Sequence, residues 1–279
     1  MAAPELETLV RYTHLKEYGY LPGAAAALPE VLGLDAARYA ALAARFAERA
    51  RGAAGRLLAE EGFAARVAAL PFRPGESVLA VGDSVTDDLQ SWAEILRHLL
   101  DLRRPGDGVQ VVNGGLSAHT TAMVLRRWPA LLARRPDWII CLLGGNDVTR
   151  VGPEPTKPQV SPAESVANLV ELRRIAAARA AASWVWITPA PVHEARASGF
   201  PPFRWGESTW RNADVLALAE ALRAFEEPVV DLTAVFGVPA AGDLQGPDGV
   251  HPSLAGQTAI ARALVERLTP GGGAAGGRG

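Results

Sequence analysis

Ser84, in Gly82-Asp83-Ser84, is a candidate oxygen nucleophile. Asp248 and His251, three residues apart in Asp248-Gly249-Val250-His251, are a candidate base with its orienting carboxylate. A serine hydroxyl attacks a carbonyl usefully only when a base takes its proton, the base is held in one tautomer, and donors await the oxyanion. On a turn, a carboxylate three residues before a histidine can reach Nδ1 and leave Nε2 free. Glycine at 115 lets a backbone N–H approach a reacting carbonyl closely, and the amide of Asn146 is a neutral donor for an oxyanion. Each piece has a plainer reading. A serine between a strand and a helix is more often an N-cap, Asp-Gly-Val-His reads as an Asx turn entering a helix, and glycine turns after strands are ordinary phosphate cradles.

The elements that must hold these residues follow from the apolar pattern. From residue 77 onward, short β-rich runs alternate with amphipathic helical stretches, the pattern of a parallel sheet covered on both faces. Five strands are expected at Ser77–Val81, Val109–Asn113, Trp138–Leu143, Trp184–Thr188 and Val229–Leu232. Helices are expected near 86–100, 120–134, 163–181, 210–225 and 253–268, with Pro129 splitting the second into two. The first three strands run into Gly82-Asp83-Ser84, Asn113-Gly114-Gly115 and Gly144-Gly145-Asn146-Asp147. Parallel strands deliver their carboxyl ends to one edge, so these three turns share it.

Residues 1–70 read differently. They are alanine-rich, with Tyr39, Leu42, Ala43 and Phe46 at helical spacing after Asp35, a helix cap, and they predict a helical extension ahead of a main domain at 71–269. Gly62 interrupts the helical pattern. The glycine-rich tail 270–279 is expected to be disordered.

The four blocks, in this order over residues 77–268, resemble the SGNH hydrolases, also called the GDSL esterase and lipase superfamily. The resemblance implies a three-layer α/β/α sandwich with a five-stranded parallel, flavodoxin-like sheet. It places the nucleophile and one oxyanion donor on Ser84, the other donors on Gly115 and Asn146, and the orienter and base on Asp248 and His251. It implies a carboxylic ester hydrolase that works through a covalent acyl-enzyme, without cofactor. The first block departs from the family name by reading Gly-Asp-Ser-Val. No serine has the Gly-x-Ser-x-Gly flanks of a true α/β hydrolase.

The resemblance implies a small-molecule acyl ester as the partner, and composition argues against other classes. A net charge of -2 offers no broad cationic face for nucleic acid. No apolar run approaches the roughly 18 residues that span a bilayer, and the first thirty residues lack a signal-peptide pattern, so a cytoplasmic protein is expected. The single cysteine, Cys141, reads as a buried strand residue. Asp87 and Asp88 fall in the first turn of a helix, where acidic side chains are favoured, and no metal site is expected. His14 and His98 read as surface or packing residues. His119 and His193, on loops at the active edge, are candidate substrate contacts. The aromatic stretch 189–210 reads equally as a pocket wall, a cover for the helical extension or a dimer contact. Two other functions fit the same blocks: transfer of the acyl group to a sugar or alcohol, and non-catalytic binding of a phosphorylated or sugar ligand at the glycine turns.

Overall fold

The structure is a computed structural model that describes residues 3–18 and 21–269; the tail 270–279 lies outside the described residues. The strands are β1 (Ser77–Gly82), β2 (Gln110–Asn113), β3 (Trp138–Leu142), β4 (Arg150–Val151), β5 (Ser183–Ile187), β6 (Ser208–Thr209) and β7 (Val229–Val230). Five of them form a parallel sheet in the order β2-β1-β3-β5-β7, a flavodoxin-like order, and β4 and β6 form a small antiparallel ribbon. The five expected strands are all present, within two residues at each end. The ribbon was not expected, since two-residue strands carry no periodic signal.

Side-chain alternation along the strands sorts the core into two layers. Val78 and Ala80 of β1 pack with Ile140, Leu142, Val185 and Ile187 on one face. Leu79 and Val81 pack with Ile139, Cys141, Trp184 and Trp186 on the other. Cys141 is thus a buried core residue, its thiol pushed up by burial and secondarily by the charge of Asp83.

The chain begins with α1 (Ala3–Tyr12), α2 (Ala24–Val31), α3 (Ala36–Leu58) and α4 (Phe63–Ala68). Asp35 caps α3 by accepting the N–H of Arg38 at 2.8 Å, and Gly62, at φ 75°, starts α4 as the expected break. The division expected at residue 70 separates two stretches of sequence but not two cores. Ala50, Ala53 and Leu57 of α3 and Phe63 and Val67 of α4 lie in the same cluster as Val78 and Ile140 of the sheet. Only α1, α2 and the start of α3 gather around a separate small cluster, with Leu6, Val10, Leu28 and Phe46.

After β1 come α5 (Ser84–Asp87) and α6 (Trp92–Arg103), where one helix was expected over 86–100. The chain breaks because Asp88 turns its carboxylate back to the N–H of Gln90, and Ser91 starts a new helix by accepting the N–H of Glu94. In contrast, α7 (Thr121–Leu132) runs unbroken through Pro129, against the expected split. Trp128 is buried and donates its indole N–H to the Leu172 carbonyl at 2.9 Å, and Leu132 is buried beyond it, so packing holds both halves in line. The remaining helices are α8 (Pro162–Arg179), α9 (Glu194–Gly199), α10 (Pro201–Trp205), α11 (Asn212–Arg223), α12 (Leu232–Phe236) and α13 (Leu254–Leu268). Helices α3, α4, α6 and α13 cover one face of the sheet, and α7, α8 and α11 the other.

Candidate active site

Ser84 is the first residue of α5, so its N–H has no intrahelical partner. The turn leading to it needs glycine, because a Cβ on Gly82 would lie 2.0 Å from Thr86 Oγ1. Asp83 caps α5, its Oδ1 accepting the N–H of Val85 at 3.0 Å. Burial pushes the Asp83 carboxyl up to about 6, against the pull of that hydrogen bond and of His251.

Across the sheet edge, His251 Nε2 lies 2.9 Å from Ser84 Oγ, and His251 Nδ1 lies 2.7 Å from Asp248 Oδ2. A carboxylate can only accept here, so Nδ1 carries the hydrogen and Nε2 faces the serine hydroxyl as acceptor. The other carboxylate oxygen, Asp248 Oδ1, accepts the N–H groups of Val250 and His251 at 2.9 and 2.8 Å, locking the turn. Gly249 sits at φ 73°, and a Cβ there would meet the His193 carbonyl at 2.6 Å, so this position also requires glycine. Burial works against the charged forms of both partners. Even so, His251 holds Asp248 below the ordinary carboxylate range, and Asp248, helped by Asp83, holds His251 above the ordinary histidine value.

Asn146 follows β3 and donates through Nδ2 to the His119 carbonyl at 3.1 Å, leaving its second amide hydrogen free of that bond. Its neighbour Asp147 is fully buried. It accepts from Thr121 N and Oγ1 at 2.9 and 2.5 Å and from Ser165 Oγ at 2.9 Å, pinning the third turn to α7 and α8. Ser84, Asn146 and His251 line a cavity of about 60 Å³ whose apolar walls include Val148, Val192 and Trp210. Trp210 is set by its indole N–H, which donates to Gly145 O at 3.2 Å.

Gly115 does not take the place expected of it. Its N–H donates to Asn113 Oδ1 at 3.0 Å, it is absent from the cavity lining, and a Cβ on it would lie 2.5 Å from Asp87 N. It is a packing glycine that lets the second turn close onto α5. The left-handed residue of that turn is Ala118, at φ 65°, just before the carbonyl that fixes Asn146. His119 is buried, with Nδ1 lacking a hydrogen-bond partner, and acts on the site through its backbone. His193 accepts the N–H of Arg196 at 3.3 Å as the cap of α9, and its own N–H donates to Gly249 O at 2.7 Å. Neither histidine lines the cavity.

The sequence pattern missed what the N-terminal segment does. Arg11 binds both oxygens of Asp88, through Nε at 3.0 Å and through Nη2; His14 Nδ1 lies 2.9 Å from Asp87 Oδ1, and Lys16 pairs with the same oxygen. Contrary to the expected helix start, Asp87 is the last residue of α5 and Asp88 follows it, and both carboxylates are fully buried and anchor this segment. Tyr12 stacks on the His251 ring, with centroids 4.5 Å apart and planes at 29°. A signal was present: Arg11, Tyr12, His14 and Lys16 form a polar cluster in an alanine-rich region, with Asp87-Asp88 as its complement. The aromatic stretch contributes a wall through Trp210 and also meets the N-terminal segment, since Phe200 and Pro202 face Leu9 and Tyr12 across a second cavity. Among the described residues, no group of three or more His, Cys, Asp or Glu is placed to hold a metal ion, and no helix is long and apolar enough to cross a membrane.

Comparison with known proteins matches this architecture. Esterase TesA of Pseudomonas aeruginosa is 28% identical over 201 residues, 70% of this chain and 89% of TesA. An acetylxylan esterase of Geobacillus stearothermophilus is 33% identical over 91 residues, 27% of this chain and 42% of that protein. Two solved structures share the fold. The acetylxylan esterase Axe2 from Geobacillus stearothermophilus has a TM-score of 0.52 at 23% identity, covering 70% of this chain and 95% of its own. LAE5, an α/β hydrolase enzyme from the metagenome of Lake Arreo, has a TM-score of 0.55 at 22% identity, covering 71% and 96%. The model of the GDSL-like lipase/acylhydrolase family matches residues 80–259, more than half of the sequence. The chain therefore belongs to the GDSL-like lipase/acylhydrolase family, the SGNH hydrolases, and is a carboxylic ester hydrolase.

Proposed function

We propose that the chain cleaves acyl esters through a covalent intermediate on Ser84. The observation that carries this reading is the unbroken hydrogen-bond chain from Asp248 through His251 to Ser84 Oγ at the mouth of a cavity that Asn146 also lines. As Ser84 Oγ attacks the ester carbonyl, His251 Nε2 accepts its proton and Asp248 stabilises the imidazolium that results. The oxyanion is held by the N–H of Ser84 and the amide of Asn146. His251 then returns the proton to the departing alcohol, and the same residue activates water to release the acid.

The cavity beside Ser84 suits a short acyl chain. It is small, and Val148, Val192 and Trp210 wall it beside Ser84. The acetylxylan esterase among the relatives, by its name, acts on an acyl group of that size. The test combines labelling by a fluorophosphonate with turnover of p-nitrophenyl acetate and p-nitrophenyl octanoate. The expected result is labelling at Ser84 and faster turnover of the acetate. Activity that survives in Ser84→Ala, or folded protein that neither labels nor turns over either ester, would overturn the proposal.

A further inference from the structure

A second cavity, of about 480 Å³, shares only His251 with the one beside Ser84. Its walls come from two places far apart in sequence: Leu9 and Tyr12 of α1, and Phe200 and Pro202 at the start of α10, with Pro247 and Asp248 at its base. The polar groups that reach it are already engaged. Arg11 is bound to Asp88 and Asp248 to His251, and apart from Thr8 the rest of the lining is mostly aliphatic, aromatic and proline surface. The α1 wall is also held in place. Asp88, directly after the helix that carries Ser84, binds Arg11 with no exposure of its own side chain, and Tyr12 lies on the His251 ring.

The chemistry of the serine mechanism proposed above, on which this inference rests, assigns the two cavities to different halves of the ester. When the tetrahedral intermediate collapses, the bond between the carbonyl carbon and the alkoxy oxygen breaks. The electron pair goes to that oxygen, which takes the proton from His251 Nε2. The alcohol must therefore depart on the histidine side, whereas the acyl group stays on Ser84. We infer that α1 and α10 build a leaving-group subsite, and that the substrate is an ester of a short acid with a bulky apolar alcohol, aromatic or alicyclic. The cavity on the alcohol side is the larger of the two, so most of the substrate's bulk falls in the alcohol. Apolar walls with no unengaged charge favour burial of hydrocarbon over a sugar or a charged headgroup.

The test compares the acetates of ethanol and 2-(2-naphthyl)ethanol, two primary alcohols of similar leaving ability, so that a difference reports binding of the alcohol rather than its reactivity. The expected kcat/KM is at least about tenfold higher for the naphthylethyl ester, with the alcohol 2-(2-naphthyl)ethanol acting as a competitive inhibitor. Two substitutions fill the cavity from opposite walls, Leu9→Trp and Pro202→Trp, and each is expected to reduce the ratio of the two kcat/KM values about tenfold. A wild-type ratio near one, or a ratio that neither folded variant changes, overturns the subsite while labelling of Ser84 still stands. Failure of fluorophosphonate labelling in the folded protein overturns the serine mechanism and the subsite with it.

Discussion

At the scale of single residues, the protons along Ser84, His251 and Asp248 set the pH dependence. Only neutral His251 can accept the serine proton, and the charges of Asp248 and Asp83 hold the histidine above its ordinary value in spite of burial. The acid limb of kcat/KM is therefore expected above about pH 6.5, the unperturbed value, with activity lost as the pH falls through it. Asp83→Asn removes one of the charges that favour the imidazolium, so its acid limb is expected at lower pH. A pH–rate profile of the two proteins checks this, and an upward shift would refute it. Asn146→Ala removes a side-chain oxyanion donor and is expected to lower kcat by about 10²–10³-fold, measured with the same ester as wild type. Ala118 occupies the left-handed region at φ 65°, where a Cβ is unfavourable by about 1–2 kcal/mol. Ala118→Gly is expected to raise stability by a part of that, since glycine also loses more freedom on folding, and a denaturant midpoint reads it.

At the scale of elements, the position of the nucleophile depends on contacts made by the short helix α5. Gly115 packs directly on it, and the Cβ of Gly115→Ala would meet Asp87 N at 2.5 Å. That substitution is expected to destabilise the protein by about 1–3 kcal/mol and to lower kcat by displacing Ser84, although Gly115 offers no donor to the oxyanion. On its other side α5 is followed by Asp88, whose carboxylate is buried against Arg11 and also accepts from Gln257 at 3.3 Å. Breaking such a pair by removing one partner typically costs about 3–5 kcal/mol. Arg11→Met leaves Asp88 buried without its cation, and the expected loss of stability, read by urea unfolding, falls in that range. The stacking of Tyr12 on His251 adds a further link, of the order of 0.5–1.5 kcal/mol for ring pairs of this kind.

At the scale of the whole molecule, the helical extension divides into two parts with different attachments. Helices α3 and α4 complete one layer of the sandwich, with Leu57 as buried as Leu99 of α6. Leu57→Ala and Leu99→Ala are thus each expected to cost about 2–5 kcal/mol, within a single cooperative transition. A separate, earlier transition in Leu57→Ala would show instead that α3 folds apart from the sheet. Helices α1 and α2 rest on a small cluster of their own and on the polar bonds to Asp87 and Asp88. They are expected to exchange their amide hydrogens through openings of lower free energy than those of β1 and β3, which hydrogen exchange followed by mass spectrometry can resolve.

What the sequence determined by itself follows from local physics. Strands buried on both faces read as short apolar runs, helices as amphipathic stretches, and a parallel sheet brings the ends of β1, β2 and β3 to one edge. That much led from residues 77–268 to the sheet and to Ser84, Asn146, Asp248 and His251, since each sits within a few residues of an element's end. Tertiary structure alone decided the rest, because it depends on which distant groups meet. Asn113 takes the N–H of Gly115, packing carries α7 through Pro129, the His119 carbonyl holds Asn146, and His193 caps α9. The pairing of Arg11 with Asp88, 77 positions apart, has no periodic or local signature, yet it brings Tyr12 onto His251 and gives α1 a place beside the catalytic edge. Charge complementarity was visible in the chain; that those charges would be buried together followed only from the way the helices packed.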